Sequence, residues 1–93
     1  MANLFSVAIT TSYLGTEQEI PRGATSIEFW GVDADPATAD VAVWVRLTDQ
    51  SGTAAEVLVG AGASYQTDLD LGDAWTWNAK GETVSGLVQG VIV

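Results

Sequence analysis

The chain has 93 residues, with 3 Lys plus Arg against 12 Asp plus Glu, a formal net charge of -9, and neither Cys nor His. That length supports one domain with one core. The cation deficit argues against nucleic-acid and anionic-membrane partners, which need several Lys or Arg, and the missing imidazoles and thiols exclude the usual zinc and copper sites along with Cys or His catalysis.

A chain that is 47% hydrophobic and 16% charged reads as globular despite its acidity. The opening Met1-Ala-Asn-Leu-Phe-Ser has no basic stretch, so it is expected to be the start of folded protein made in a cytosol, not a secretory signal. Period-two alternation then runs throughout, and no helical period is sustained. Phe5, Val7 and Ile9 share one face of a first strand, and residues 1–14 read as an N-terminal strand or arm. Pro21-Arg22-Gly23 predicts a type I turn with Pro second and Gly fourth. The turn leads into a strand over Thr25 to Val32, where Ile27 and Phe29 alternate with Glu28 and Trp30. Asp33 to Asp40, which contains Pro36, reads as a surface loop.

Asp40 to Thr48 is the clearest strand: Val41, Val43, Val45 and Leu47 form one row, with Ala42, Trp44, Arg46 and Thr48 behind it. Asp49-Gln50-Ser51-Gly52 predicts a turn that returns the chain along Ala54 to Val59 as a hairpin. After Gly60-Ala61-Gly62, Tyr65, Thr67 and Leu69 mark another strand. A turn at Gly72 leads to Ala74 to Asn78, and Asn78 to Gly81 connects to a last strand over Glu82 to Val93. The expected fold is all-β: a single antiparallel β-sandwich or small jelly roll of about eight short strands, covering residues 1–93. Periodicity leaves the strand order open.

Four features invite a functional reading. Asp68-Leu-Asp70-Leu-Gly72-Asp73 clusters carboxylates, but Gly72 and Ala79 fall where an EF-hand loop does not want them. A solvated acidic rim is the expectation there, as in the loop holding Asp33, Asp35 and Asp40, so no metal and no cofactor is assigned. Trp75 and Trp77 share one strand face; they are either a flat platform for sugar rings, as in a carbohydrate- or receptor-binding module, or filling between two sheets. Trp30 and Trp44 lie opposite the aliphatic rows of their strands, so both strand faces are partly apolar and a subunit or particle interface is expected over the second face. Arg46 shares the Trp44 face and is expected to stack on that ring or to pair with an acidic neighbour. Leu4, Phe5, Val7 and Ile9 are further candidates for subunit or capsid contact, should the first strand add to a neighbour. No Ser-x-x-Lys or Gly-x-Ser-x-Gly arrangement occurs, and the single Lys80 lies beside Gly81, so no catalytic residue is assigned and the chain is read as non-enzymatic.

The ordered segments Gly15-Thr-Glu-Gln-Glu-Ile-Pro21, Ser26-Ile-Glu-Phe-Trp-Gly-Val32, Val43-Trp-Val-Arg-Leu-Thr48, Gly60-Ala-Gly-Ala-Ser-Tyr-Gln-Thr-Asp-Leu69 and Gly81-Glu-Thr-Val-Ser-Gly-Leu together resemble the small all-β virion proteins of tailed bacteriophages. The likeness is to head decoration (cement) proteins and short head or tail fibres, and it is one of style and segment order. It implies a decoration protein that binds the lattice of the major capsid protein in many copies, often as a trimer, and stabilises the head. It places the protein on the capsid surface of a virion assembled in the host cytoplasm. Like-charged subunits should then associate more strongly as salt screens them.

Overall fold

The computed structural model describes residues 3–34, 39–69 and 74–93. They form eight strands: β1 (Asn3–Ile9), β2 (Gln18–Ile20), β3 (Ser26–Val32), β4 (Val43–Thr48), β5 (Ala54–Val59), β6 (Tyr65–Asp68), β7 (Trp75–Gly81) and β8 (Gly86–Ile92). All pairings are antiparallel and fall into two sheets, ordered β1-β8-β3-β6 and β2-β7-β4-β5.

That order is a rolled hairpin. The chain doubles back at the β4–β5 turn, so β4 pairs β5, β3 pairs β6, β2 pairs β7 and β1 pairs β8. Alternate pairs go to alternate sheets, which is the jelly-roll arrangement. The pivot is the hairpin that the sequence marks most clearly. Asp49 builds its turn: its Oδ1 accepts from the Ser51 N–H (3.0 Å), the Ser51 hydroxyl (2.7 Å) and the Thr53 N–H (2.9 Å), while Gly52 takes a φ of 90°. These bonds, led by the Ser51 hydroxyl, hold the Asp49 carboxyl below its ordinary pKa.

The alternation reads directly as packing. Ile27 and Phe29 of β3, Val43, Val45 and Leu47 of β4, and Val88 and Ile92 of β8 face the space between the sheets and are buried. There the buried Phe29 and Trp77 meet the half-buried Phe5 with ring centroids 5.1 to 5.7 Å apart, two of the three contacts edge-on. Phe5 also covers the bare backbone of its partner Gly90, where an added Cβ would stand 2.4 Å from the Phe5 ring.

Two expectations are corrected and one open choice is narrowed. Of the strand and the arm read for residues 1–14, the structure shows a strand: β1 pairs β8 along its whole length, Ile9 is in the core, and Phe5 and Val7 pack against it. Removing it would open the core. The turn after β2 is shifted by one residue: Ala24 N–H bonds to Pro21 O at 3.2 Å and Gly23, in third position, has a φ of 88°. A left-handed third residue belongs to type II, not type I. Finally, Asn78 to Gly81 continue β7 instead of forming a connection, and the chain turns after Gly81. The strand β2 has no counterpart in the sequence reading, because only Ile20 of its three residues is fully buried.

Candidate interaction surfaces

Each sheet has an outer face, and the two are treated differently. On the second sheet, Asn78 and Lys80 of β7, Trp44, Arg46 and Thr48 of β4, and Glu56 and Leu58 of β5 point outward. Residues 10–17, which carry the chain from β1 to β2, lie over them as a strap. The Tyr13 ring sits 4.3 Å from the Arg46 guanidinium and 4.8 Å from Lys80 Nζ, and its hydroxyl donates to Glu56 at 2.5 Å. Glu17 bonds Arg46 at 3.1 Å and also accepts from Asn78.

Asn78 is the anchor of that strap. It points outward yet is 2% exposed, and its amide is fully used. Oδ1 accepts from Leu14 N–H and Ala79 N–H, both at 2.8 Å, and Nδ2 donates to Leu14 O at 3.0 Å and to Glu17. Burial and the hydrogen bond to Glu56 push the Tyr13 hydroxyl up to about 12. Arg46 therefore pairs with an acidic neighbour, Glu17, and stacks on Tyr13, not on Trp44. The strap covers the polar side chains of this face, Arg46, Lys80 and Asn78, while Leu58 stays 43% exposed. Sequence reasoning missed Tyr13, Leu14, Glu17 and Asn78; the one available signal was an aromatic and an aliphatic residue, Tyr13-Leu14, inside an otherwise polar connection.

The outer face of the first sheet has no such strap among the described residues. Register places three rungs across β1, β8 and β3: Leu4–Val91–Glu28, Ser6–Gln89–Trp30 and Ala8–Leu87–Val32. The middle rung is polar: Trp30 Nε1 donates to Gln89 Oε1 at 3.2 Å, and Gln89 Nε2 donates to Ser6 Oγ at 3.4 Å. The flanking rungs are apolar except for Glu28, and Leu4 is 81% exposed. Glu28 is the only charged residue on these rungs. Thus Trp30 lies on the open face and Trp44 on the strapped one, at opposite sides of the molecule. Of the β1 candidates Leu4 alone points outward; Phe5, Val7 and Ile9 point into the sandwich.

Of the two readings of Trp75 and Trp77, platform or filling between the sheets, their placement fits the filling. Trp77 is 3% exposed inside the aromatic core, and Trp75 packs against that core. Their shared strand face is the inner one. A cleft of about 450 Å³ opens beside Trp75 and holds a single carboxylate, Glu19, among its described lining residues. Of the carboxylate clusters, Asp70, Asp73, Asp35 and Pro36 lie outside the described residues; among the described ones no group of three acidic side chains is placed to hold a metal ion. No family model, no curated protein and no solved structure matches the chain.

Proposed function

We propose that this chain is a non-enzymatic structural protein that docks on a larger particle through the outer face of its first sheet. The observation that carries this reading is the charge distribution. In a chain of net charge -9, the rungs spanning β1, β8 and β3 turn the exposed Leu4 and the half-buried Leu87, Val91 and Trp30 outward with Glu28 as their one charged residue, and Asp68 of β6 lies at the far edge of the same face. Charge depletion around aromatic and aliphatic side chains is the compositional mark of a buried interface core.

The fold narrows the particle by analogy. Jelly rolls occur in viral capsid proteins, lectins and cupins. A cupin-type metal site needs histidines, which this chain lacks, and the burial of Trp77 weighs against a flat sugar platform at the Trp75 and Trp77 pair. Of these, the capsid class is the reading we favour, on the resemblance to bacteriophage head decoration proteins; in that reading the lattice of major capsid protein is the partner and the capsid surface of the virion is the location. Co-sedimentation with heads assembled without this protein tests the proposal. The wild type is expected to pellet with the heads, and Leu4→Asp, a change at an exposed position, is expected to stay in the supernatant while remaining folded. Failure of the wild type to pellet, or unimpaired pelleting of Leu4→Asp, overturns it.

A further inference from the structure

The two sheets end in four edges, and three of them carry the devices that discourage a strand from pairing with a stranger. β2 contains Glu19 and runs into Pro21, β5 contains Glu56, and β6 ends in Asp68. The fourth, β1, reads Asn-Leu-Phe-Ser-Val-Ala-Ile, seven residues with no charge and no proline.

Its hydrogen-bonding capacity can be assigned residue by residue. Val93 exchanges N–H and C=O bonds with Ser26 (3.0 and 3.2 Å), so the odd-numbered residues of β8 bond toward β3 and the even-numbered ones toward β1. Asn3, Phe5, Val7 and Ile9 are therefore the β1 residues bonded to β8. The N–H and C=O groups of Leu4, Ser6 and Ala8 point away from the sheet and have no backbone partner among the described residues.

We infer that β1 is a pairing edge for a second copy of this chain, the two β1 strands meeting antiparallel about a two-fold axis at Ser6. The free groups are self-complementary in that register: Ser6 faces its own counterpart and Leu4 faces Ala8 in both directions, each pair exchanging both bonds. On the inner side, Phe5 and Val7 are half-buried because they sit at the rim of the core. The same register brings the second copy's Val7 against Phe5 and completes the burial of both. Charge points to this edge as well. Two copies of net charge -9 repel over most of their surfaces, and β1 is the strand edge without a charged residue. The joint depends on this edge alone and stands or falls apart from head binding.

One strand pair is a small interface, so the dimer is expected in the range of tens of micromolar to about 1 mM, tightening as salt shortens the Debye length from ~13 Å at ~0.05 M to ~4 Å at ~0.5 M. Sedimentation equilibrium across that range of protein and salt tests it. Ser6→Pro removes an N–H that β8 does not use, so the domain stays folded by circular dichroism while the dimer weakens roughly tenfold or more. Ser6→Lys leaves the backbone intact, sets like charges face to face across the axis, and weakens the dimer in the same way should the proline variant fail to fold. A wild type that remains monomeric at about 1 mM in high salt overturns the inference, as does a dimer equally tight in both folded variants.

Discussion

Replacing Asn78 by Ala tests whether the strap is held as the structure describes. The change deletes the acceptor of Leu14 N–H and the donor to Leu14 O and to Glu17. A net hydrogen bond contributes about 0.5–1.5 kcal/mol, and one to a charged group about 1.5–3 kcal/mol. Part of the sum returns when water reaches the freed Leu14 groups, which leaves a cost of about 3 kcal/mol. For a domain of this size the melting temperature should fall by roughly 12–24 °C. In urea the midpoint should drop with an unchanged slope, because the surface exposed on unfolding stays nearly the same.

Asn78→Asp separates hydrogen bonding from volume. It keeps the shape but turns the Nδ2 donor into a carboxylate oxygen facing Leu14 O and the Glu17 carboxylate, so at neutral pH it should destabilise more than Ala. Protonation restores one donor, and the two variants should converge as pH falls through the carboxylate range. Amide exchange supplies the local readout: the Leu14 N–H should lose protection in both variants. A cost below about 1 kcal/mol for Asn78→Ala, with the Leu14 amide still protected, would refute the anchoring argument.

Other outcomes follow from the same packing. Gly90→Ala puts a Cβ 2.0 Å from Glu28 O and 2.4 Å from the Phe5 ring; because the carbonyl belongs to the β3–β8 ladder, thermal melting should show a loss of about 1–3 kcal/mol or more. Phe5→Ala should cost about 2–4 kcal/mol in urea titration, since it empties one corner of the aromatic triad and uncovers Gly90; a binding-arm residue would cost nothing. Tyr13 is held protonated in the fold up to about 12 against an ordinary 10.0, so its contribution is fully present below pH 10 and is lost as pH rises through 12. Absorbance near 295 nm should show a late phenol ionisation that Tyr13→Phe abolishes.

How far the sequence carried depends on where each residue's partner lies along the chain. Strands whose two faces differ sharply, such as Val43–Thr48 with Val43, Val45 and Leu47 inside, were legible from periodicity alone. The β4–β5 hairpin was legible because Asp49 and Gly52 form its turn locally. In a rolled hairpin every other pairing joins segments progressively further apart, ending with Asn3 opposite Ile92, and no local pattern encodes that. The same separation hid the strap: Leu14 and Asn78 meet across 64 positions. Trp75 and Trp77 shared a face as expected, but which face looked outward was settled by β2 and β4 on either side of β7.

That last point changes the meaning of strands that are apolar on both sides. Trp44 and Trp30 look alike in sequence, each standing opposite an aliphatic row. On the second sheet the charged side chains of the outer face are met from within: Tyr13 lies over Arg46 and Lys80, and Glu17 pairs with Arg46. On the first sheet Trp30 has Gln89 across its rung, with the Leu4–Val91–Glu28 and Ala8–Leu87–Val32 rungs on either side and Leu4 almost wholly in solvent. Solvating that face costs the chain nothing it can recover alone, since the connection long enough to cover a sheet is spent on the other side. An apolar, charge-poor face beside an uncharged strand edge is kept open at a continuous risk of aggregation. A net charge of -9 offsets that risk, and in the docking proposed above it would yield to screening or to a complementary surface.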